Sequence, residues 1–288
     1  MVMSFVFRQI RRSFGNMSES IETLFLESHT PRLAYDIRAG SLPVLLCIHG
    51  NSSHRGLWGP LLDHLPHYAA LRLDLRGHGQ SEWARPPAYS TADYAHDIRA
   101  AAETLGGREF VLVSHSNGSL ASIYFAIHLE PKPKALVYMD VNPRVLDEQV
   151  EYFRQRAATV ARVFPSVRDV LRGMRQVDDT VPEEAFLSFI EAGMRKSAAG
   201  FRFALDPETY RSWQPGDMWE AVEKIPCPML ILRAEHSGVM ARSAAEQMMQ
   251  KAPNARLKEI GGAGHFLMLG NPAEVARAIH SFLEEVGL

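Results

Sequence analysis

Only two cysteines occur in the 288 residues. Cys47 lies inside an apolar run and Cys227 in a Pro-Cys-Pro turn, which provides neither a disulfide framework nor a cysteine metal site. A reducing compartment is the simplest inference, so a cytoplasmic protein is expected. No stretch approaches the roughly 20 consecutive apolar residues of a membrane helix, so a soluble chain without stable membrane insertion is expected. Charge of one sign is also missing: 31 Lys and Arg against 33 Asp and Glu leave a net charge of −2. Without a basic excess or an acidic tail, nucleic acid is not an expected partner. No internal repeat or low-complexity tract appears. No His, Cys and Asp cluster has metal-ligand spacing, so neither metal nor cofactor is expected.

What is present is an alternation of buried strands and amphipathic helices. Residues 1–20 read as a loose extension with Met17 as a second candidate start; the short apolar stretch before Arg8, Arg11 and Arg12 is a poor signal peptide. Residues 23–27 and 32–38 read as paired strands. The run Pro43-Val44-Leu45-Leu46-Cys47-Ile48 has the continuous apolarity of a parallel strand buried on both faces. Further strands are expected at 69–74, 110–113, 135–140, 228–233 and 256–260. Helices are expected at 57–65, from Ser90 to Leu105 behind a Ser90/Asp93 capping box, at 120–129, at 241–251, and at 272–286 behind Asn271. From 142 to 224 the buried-strand pattern stops and helical spacings such as Val150, Phe153 and Ala157 replace it. The expectation is a doubly wound, mostly parallel α/β sheet formed by 21–141 and 225–288, with 142–224 inserted as a helical cap.

The hexapeptide Ser114-His115-Ser116-Asn117-Gly118-Ser119 follows the apolar run 110–113 and precedes a helix. It has the layout of a nucleophile elbow, with serines at two of the positions where close strand–helix crossing favours glycine. A serine at the apex holds its hydroxyl clear of the backbone, and the N–H of Asn117 points into the same space. Asn51, Ser116, Asp140, Glu235 and His265 all follow expected strands, at the carboxyl ends where open α/β sheets gather their chemistry.

His49-Gly50, Asp74-Leu75-Arg76-Gly77-His78-Gly79, the Ser116 elbow and Gly262-Ala263-Gly264-His265-Phe266 together resemble the α/β-hydrolase superfamily across residues 22–288. The resemblance implies Ser116 as nucleophile, His265 as general base, and the backbone N–H groups of Asn51 and Asn117 as oxyanion hole. A hydroxyl needs an imidazole to take its proton, and the imidazole needs a carboxylate to orient it. The acid departs from the commonest pattern. Relatives usually carry Asp after the strand equivalent to 230–233, where this chain reads Ala234-Glu235-His236-Ser237-Gly238-Val239. Asp140 and Glu235 are the two candidates, with Asp140 preferred because some members take their acid from that strand end.

His115 is a candidate pocket residue beside the nucleophile, although strand neighbours point to opposite faces. Phe164, Phe186, Phe189, Met194 and Trp213 are candidates for a lid over an apolar acyl or aromatic group; the alternative is that they pack the insertion's own core. Hydrolysis of a small-molecule carboxylic ester through an acyl-enzyme is the leading expectation, with lactones and thioesters in the same class. The resemblance also admits a cofactor-free dioxygenase of the quinolone type, a carbon–carbon bond hydrolase, and a non-enzymatic receptor on this fold.

Overall fold

A computed structural model describes residues 22–288; the expected N-terminal extension lies outside the described residues. In chain order the elements are β1 (Leu24–Leu26), β2 (Leu33–Arg38), β3 (Ser41–Ile48), a 3-10 turn (Arg55–Trp58), α1 (Gly59–Asp63), β4 (Tyr68–Leu73), β5 (Tyr89–Ser90), α2 (Thr91–Thr104), β6 (Phe110–His115), α3 (Asn117–His128) and β7 (Ala135–Met139). Then come α4 (Asp147–Val160), α5 (Val167–Met174), α6 (Glu183–Ala192), β8 (Met194–Ser197), β9 (Gly200–Phe203), α7 (Glu208–Arg211), β10 (Trp213–Gln214) and α8 (Trp219–Val222). The chain closes with β11 (Met229–Ala234), α9 (Arg242–Lys251), β12 (Ala255–Ile260), α10 (Leu267–Gly270) and α11 (Pro272–Glu285).

Eight strands form one sheet in the order β1-β2-β4-β3-β6-β7-β11-β12, antiparallel for β1, β2 and the β2–β4 pair and parallel elsewhere. Its central strands carry unbroken apolar runs at 44–48, 110–113 and 135–139 because both faces are covered. Leu46, Ile48 and Leu112 point into a core shared with α2 and α3, whereas Leu45, Cys47, Val111 and Val113 point into one shared with α1 and α11. Burying each such side chain contributes about 1.5–3 kcal/mol. The Ser90/Asp93 capping box forms in both directions, and Asn271 accepts from the Glu274 N–H at 3.3 Å.

Between β7 and β11, residues 142–224 carry the helices α4 to α8, but also the β8–β9 hairpin and a short β10 that pairs with β5. The hairpin escapes sequence reading because its residues are half-buried or exposed, so no buried-strand pattern marks it. Gly200 is required at its turn, with φ 126° and a position where a Cβ would overlap the Phe164 carbonyl oxygen. No helix among the described residues is long and apolar enough to cross a membrane.

Candidate active site

The site sits at the carboxyl ends of β3, β6, β7, β11 and β12. β6 ends at His115, and Ser116 caps α3 with φ 52° and ψ −129°. Among the described residues only Ser52, Ser116 and Asp140 combine a side chain with positive φ, and all three belong to this site. Such conformations cost about 1–3 kcal/mol each and persist only where their surroundings enforce them. Here the Ser116 N–H donates to the Met139 carbonyl at 2.9 Å, and a Cβ on Gly50 would lie 2.7 Å from Ser116 Cβ. Gly118 is pressed onto β3, where a Cβ would overlap the His49 carbonyl. The two serines in glycine-favouring positions are small enough to fit and are bonded to β7: Ser114 Oγ donates to the Val137 carbonyl at 3.0 Å, and Ser119 Oγ accepts from the Met139 N–H at 3.2 Å.

Asp140 follows β7, the strand between those carrying Ser116 and the 234–239 loop. Its carboxylate is fully buried. Oδ1 accepts from the Ala234 N–H at 3.0 Å; Oδ2 accepts from Ser237 Oγ at 2.8 Å and from His265 Nδ1 at 2.9 Å. That last bond leaves His265 Nε2 as the free, proton-accepting nitrogen. Ser116 Oγ itself makes no hydrogen bond among the described residues. Glu235 stands apart from the imidazole, its Oε2 accepting from the Gly262 N–H at 2.7 Å at the foot of the His265 loop.

Neither backbone N–H of Asn51 and Asn117 has an acceptor among the described residues. Their side chains form a chain whose direction chemistry fixes. The Trp213 indole can only donate, and does so to Asn117 Oδ1 at 3.0 Å; Asn117 Nδ2 then donates to Asn51 Oδ1 at 3.1 Å. Asn51 Nδ2 is left buried and unpartnered among the described residues. His49 supports the same loop, its Nδ1–H donating to the Gly50 carbonyl at 2.8 Å while its Nε2 accepts from the Leu75 N–H at 3.1 Å. Burial pushes its pKa down to about 3.

His115 is buried behind His265, its Nε2–H donating to the His265 carbonyl at 2.9 Å and its ring 4.5 Å from the His265 ring. Burial, with His265 alongside, holds its pKa well below the usual histidine range. The apolar candidates separate. Phe186 is fully buried against Phe266, Phe164 packs edge-on to Phe203, and Trp213 is committed to Asn117 and Phe153. Phe186 and Trp213 thus pack between segment and core, whereas Phe164 packs on Phe203 within the segment itself. Met194, in β8, is half-buried against the core, and Phe189 lines a narrow cavity of about 20 Å³ with Ser52, Ser53 and His54. Phe189 also stacks on the His54 ring at 4.7 Å, and its carbonyl accepts from His54 Nε2 at 2.9 Å.

Sequence reading missed three participants. Ser237 holds Asp140, in the loop where the sequence shows only that an aspartate is missing. Asp178 and Thr180, in the inserted segment, bond to backbone on either side of His265. Nothing in the sequence signals these last two, because 84 to 88 residues separate each from its partner.

A family model described as the alpha/beta hydrolase family matches residues 45–278. The 2-(acetamidomethylene)succinate hydrolase of Mesorhizobium japonicum is 26% identical over 260 residues, covering 88% of this chain and 92% of that protein. A pimeloyl-acyl-carrier-protein methyl ester esterase of Xanthomonas campestris pv. campestris is 25% identical over 255 residues, covering 85% of this chain and 96% of that one. Among solved structures, an E-2-(acetamidomethylene)succinate hydrolase superposes with a TM-score of 0.82 at 23% identity, covering 92% of this chain and 100% of that chain.

Proposed function

The chain belongs to the alpha/beta hydrolase family, and from that premise we propose that it is a serine hydrolase cleaving carboxylic esters, lactones and thioesters included, through an acyl-enzyme intermediate. The Ser116 hydroxyl attacks the ester carbonyl carbon as His265 Nε2 takes its proton. Asp140 holds the Nδ1–H and stabilises the imidazolium. The N–H groups of Asn51 and Asn117 receive the oxyanion. The C–O bond to the leaving group breaks as His265 returns the proton to it, and water then releases the acid by the same steps. The observation that carries this reading is the buried Asp140–His265 bond set beside a serine elbow and two backbone donors without acceptors. The open Ser116–His265 contact fits this reading, since such bonds tighten once substrate is seated. The methyl ester esterase among the relatives supports the ester class. Segment 142–224 serves as the cap over a small-molecule ester, and two buried free thiols, Cys47 and Cys227, fit a cytoplasmic enzyme.

A second reading has a specific basis: the Ser114-His115-Ser116 elbow together with an acid after β7 that bonds His265. These are the two details in which the chain resembles cofactor-free dioxygenases of the quinolone type, with His265 acting as base on the substrate itself. Hydrolysis of p-nitrophenyl esters from acetate to octanoate by wild type and Ser116→Ala tests both. Turnover that vanishes in the variant supports the acyl-enzyme. Absence of ester turnover, or turnover indifferent to Ser116, removes that reading, and oxygen uptake that survives Ser116→Ala favours the second.

A further inference from the structure

We propose that Asp178 and Thr180 are positioning residues for the catalytic histidine, so that the inserted segment sets the base as well as covering the site. His265 occupies a loop with no regular secondary structure of its own. Its side chain is fixed by Asp140 and its carbonyl by His115, but ring orientation also depends on the peptides on either side. Both are gripped from the inserted segment. The Phe266 N–H donates to Asp178 Oδ2 at 2.7 Å, and the Gly264 N–H donates to Thr180 Oγ1 at 2.8 Å. The two acceptors are locked to each other, because Thr180 Oγ1 donates to Asp178 Oδ1 at 2.7 Å and the Thr180 N–H reaches the same oxygen at 3.0 Å.

Asp178 is only 4% exposed, so these bonds are made away from water, where a carboxylate-assisted bond is worth more than at the surface. The fit is close. The Asp178 carboxylate fills the place where a Cβ on Gly264 would stand, with its Oδ2 at 2.7 Å from that position. This accounts for the glycine immediately before the histidine by a neighbour 86 positions away rather than by a turn. Neither Asp178 nor Thr180 touches the reacting atoms; they act through the Gly264 and Phe266 peptides. Displacing a base by about 1 Å is enough to slow turnover roughly a hundredfold.

The proposal rests on His265 as base, and its test separates the two. Asp178→Ala is expected to lower kcat for a p-nitrophenyl ester by about tenfold or more with KM nearly unchanged, counted per site that a fluorophosphonate can label. It is also expected to shift or broaden the His265 Nδ1 proton resonance that reports the bond to Asp140. Where Asp178→Ala does not fold, Thr180→Val, which removes the acceptor for Gly264 and the hydroxyl bond to Asp178 Oδ1 but leaves the Asp178 bond to Phe266, gives the same signs in weaker form. An unmoved resonance together with wild-type kcat per labelled site overturns the clamp and leaves both residues merely structural. If wild type shows no ester turnover, the hydrolase reading fails by itself and the resonance still decides the clamp.

Discussion

Lowering the pH from 7 to 5 is expected to cost the fold about 4 kcal/mol through two histidines alone. His49 and His78 are buried with their rings 5.1 Å apart, and burial pushes each pKa from 6.5 down to about 3. The hydrogen bonds of His49 require the neutral ring, since a proton on Nε2 would face the Leu75 N–H donor to donor. Both folded values are depressed, so the unfolded chain takes up protons between pH 6.5 and 3 while the folded chain does not. Their stabilisation is therefore complete above about pH 6.5 and is lost as the pH falls. At pH 5 an unfolded histidine is about 1.5 units below its pKa, which gives roughly 2 kcal/mol per ring. That figure is set by the unfolded value and is insensitive to how far below 5 the folded value lies. Burial lowers His54 and His115 as well, so their effect has the same sign. Urea unfolding at the two pH values measures the loss, and His78→Gln should remove about half of the part due to the pair. A loss below about 1 kcal/mol, or one unchanged by His78→Gln, would refute the argument. His49 itself stays neutral in the folded chain down to about pH 3, so its bond to the Gly50 carbonyl is unaffected over this range and the loss shows in unfolding alone.

Asp140→Asn should reduce kcat by roughly a hundredfold or more through lost imidazole orientation, whereas Glu235→Gln, which alters a contact to Gly262, should leave kcat near wild type. Ser237→Asp sets a second carboxylate beside Asp140 Oδ2, where two like charges cannot both ionise easily. By itself it should depress turnover at neutral pH; combined with Asp140→Asn it should restore part of the loss, read as kcat of the double variant against Asp140→Asn. Gly118→Ala forces a methyl into the His49 carbonyl and to within 2.8 Å of the Ile48 carbonyl. It should cost about 1–3 kcal/mol in urea unfolding and abolish fluorophosphonate labelling of Ser116.

The sheet was legible in the sequence because strands buried on both faces leave unbroken apolar runs. Once 43–48, 110–113, 135–140 and 228–233 are read as strands, the residues that follow them collect at one edge. What spacing cannot supply is lateral order. Asp140 and Glu235 both follow strands, and only the place of β7 between β6 and β11 puts Asp140 against His265 and turns Glu235 toward Gly262. The inserted segment is the least legible part for a related reason. Beside the apolar packing of Phe186 and Phe189 on Phe266, four of its contacts with the core are single hydrogen bonds: Asp178 to Phe266, Trp213 to Asn117, the Phe189 carbonyl to His54, and Tyr210 to Ser52. None carries a periodicity, because each answers a partner fixed elsewhere in the chain. These four contacts fall on the loops and helix start that hold His265, Asn117 and Asn51. An insertion that served only as a cover would need apolar surface over the pocket and little else. This one bonds to the backbone or side chains around His265, Asn51 and Asn117, the proposed base and oxyanion donors, so changes in 142–224 that widen a pocket should also alter kcat, and replacing 142–224 wholesale should disable the proposed site even where the core folds.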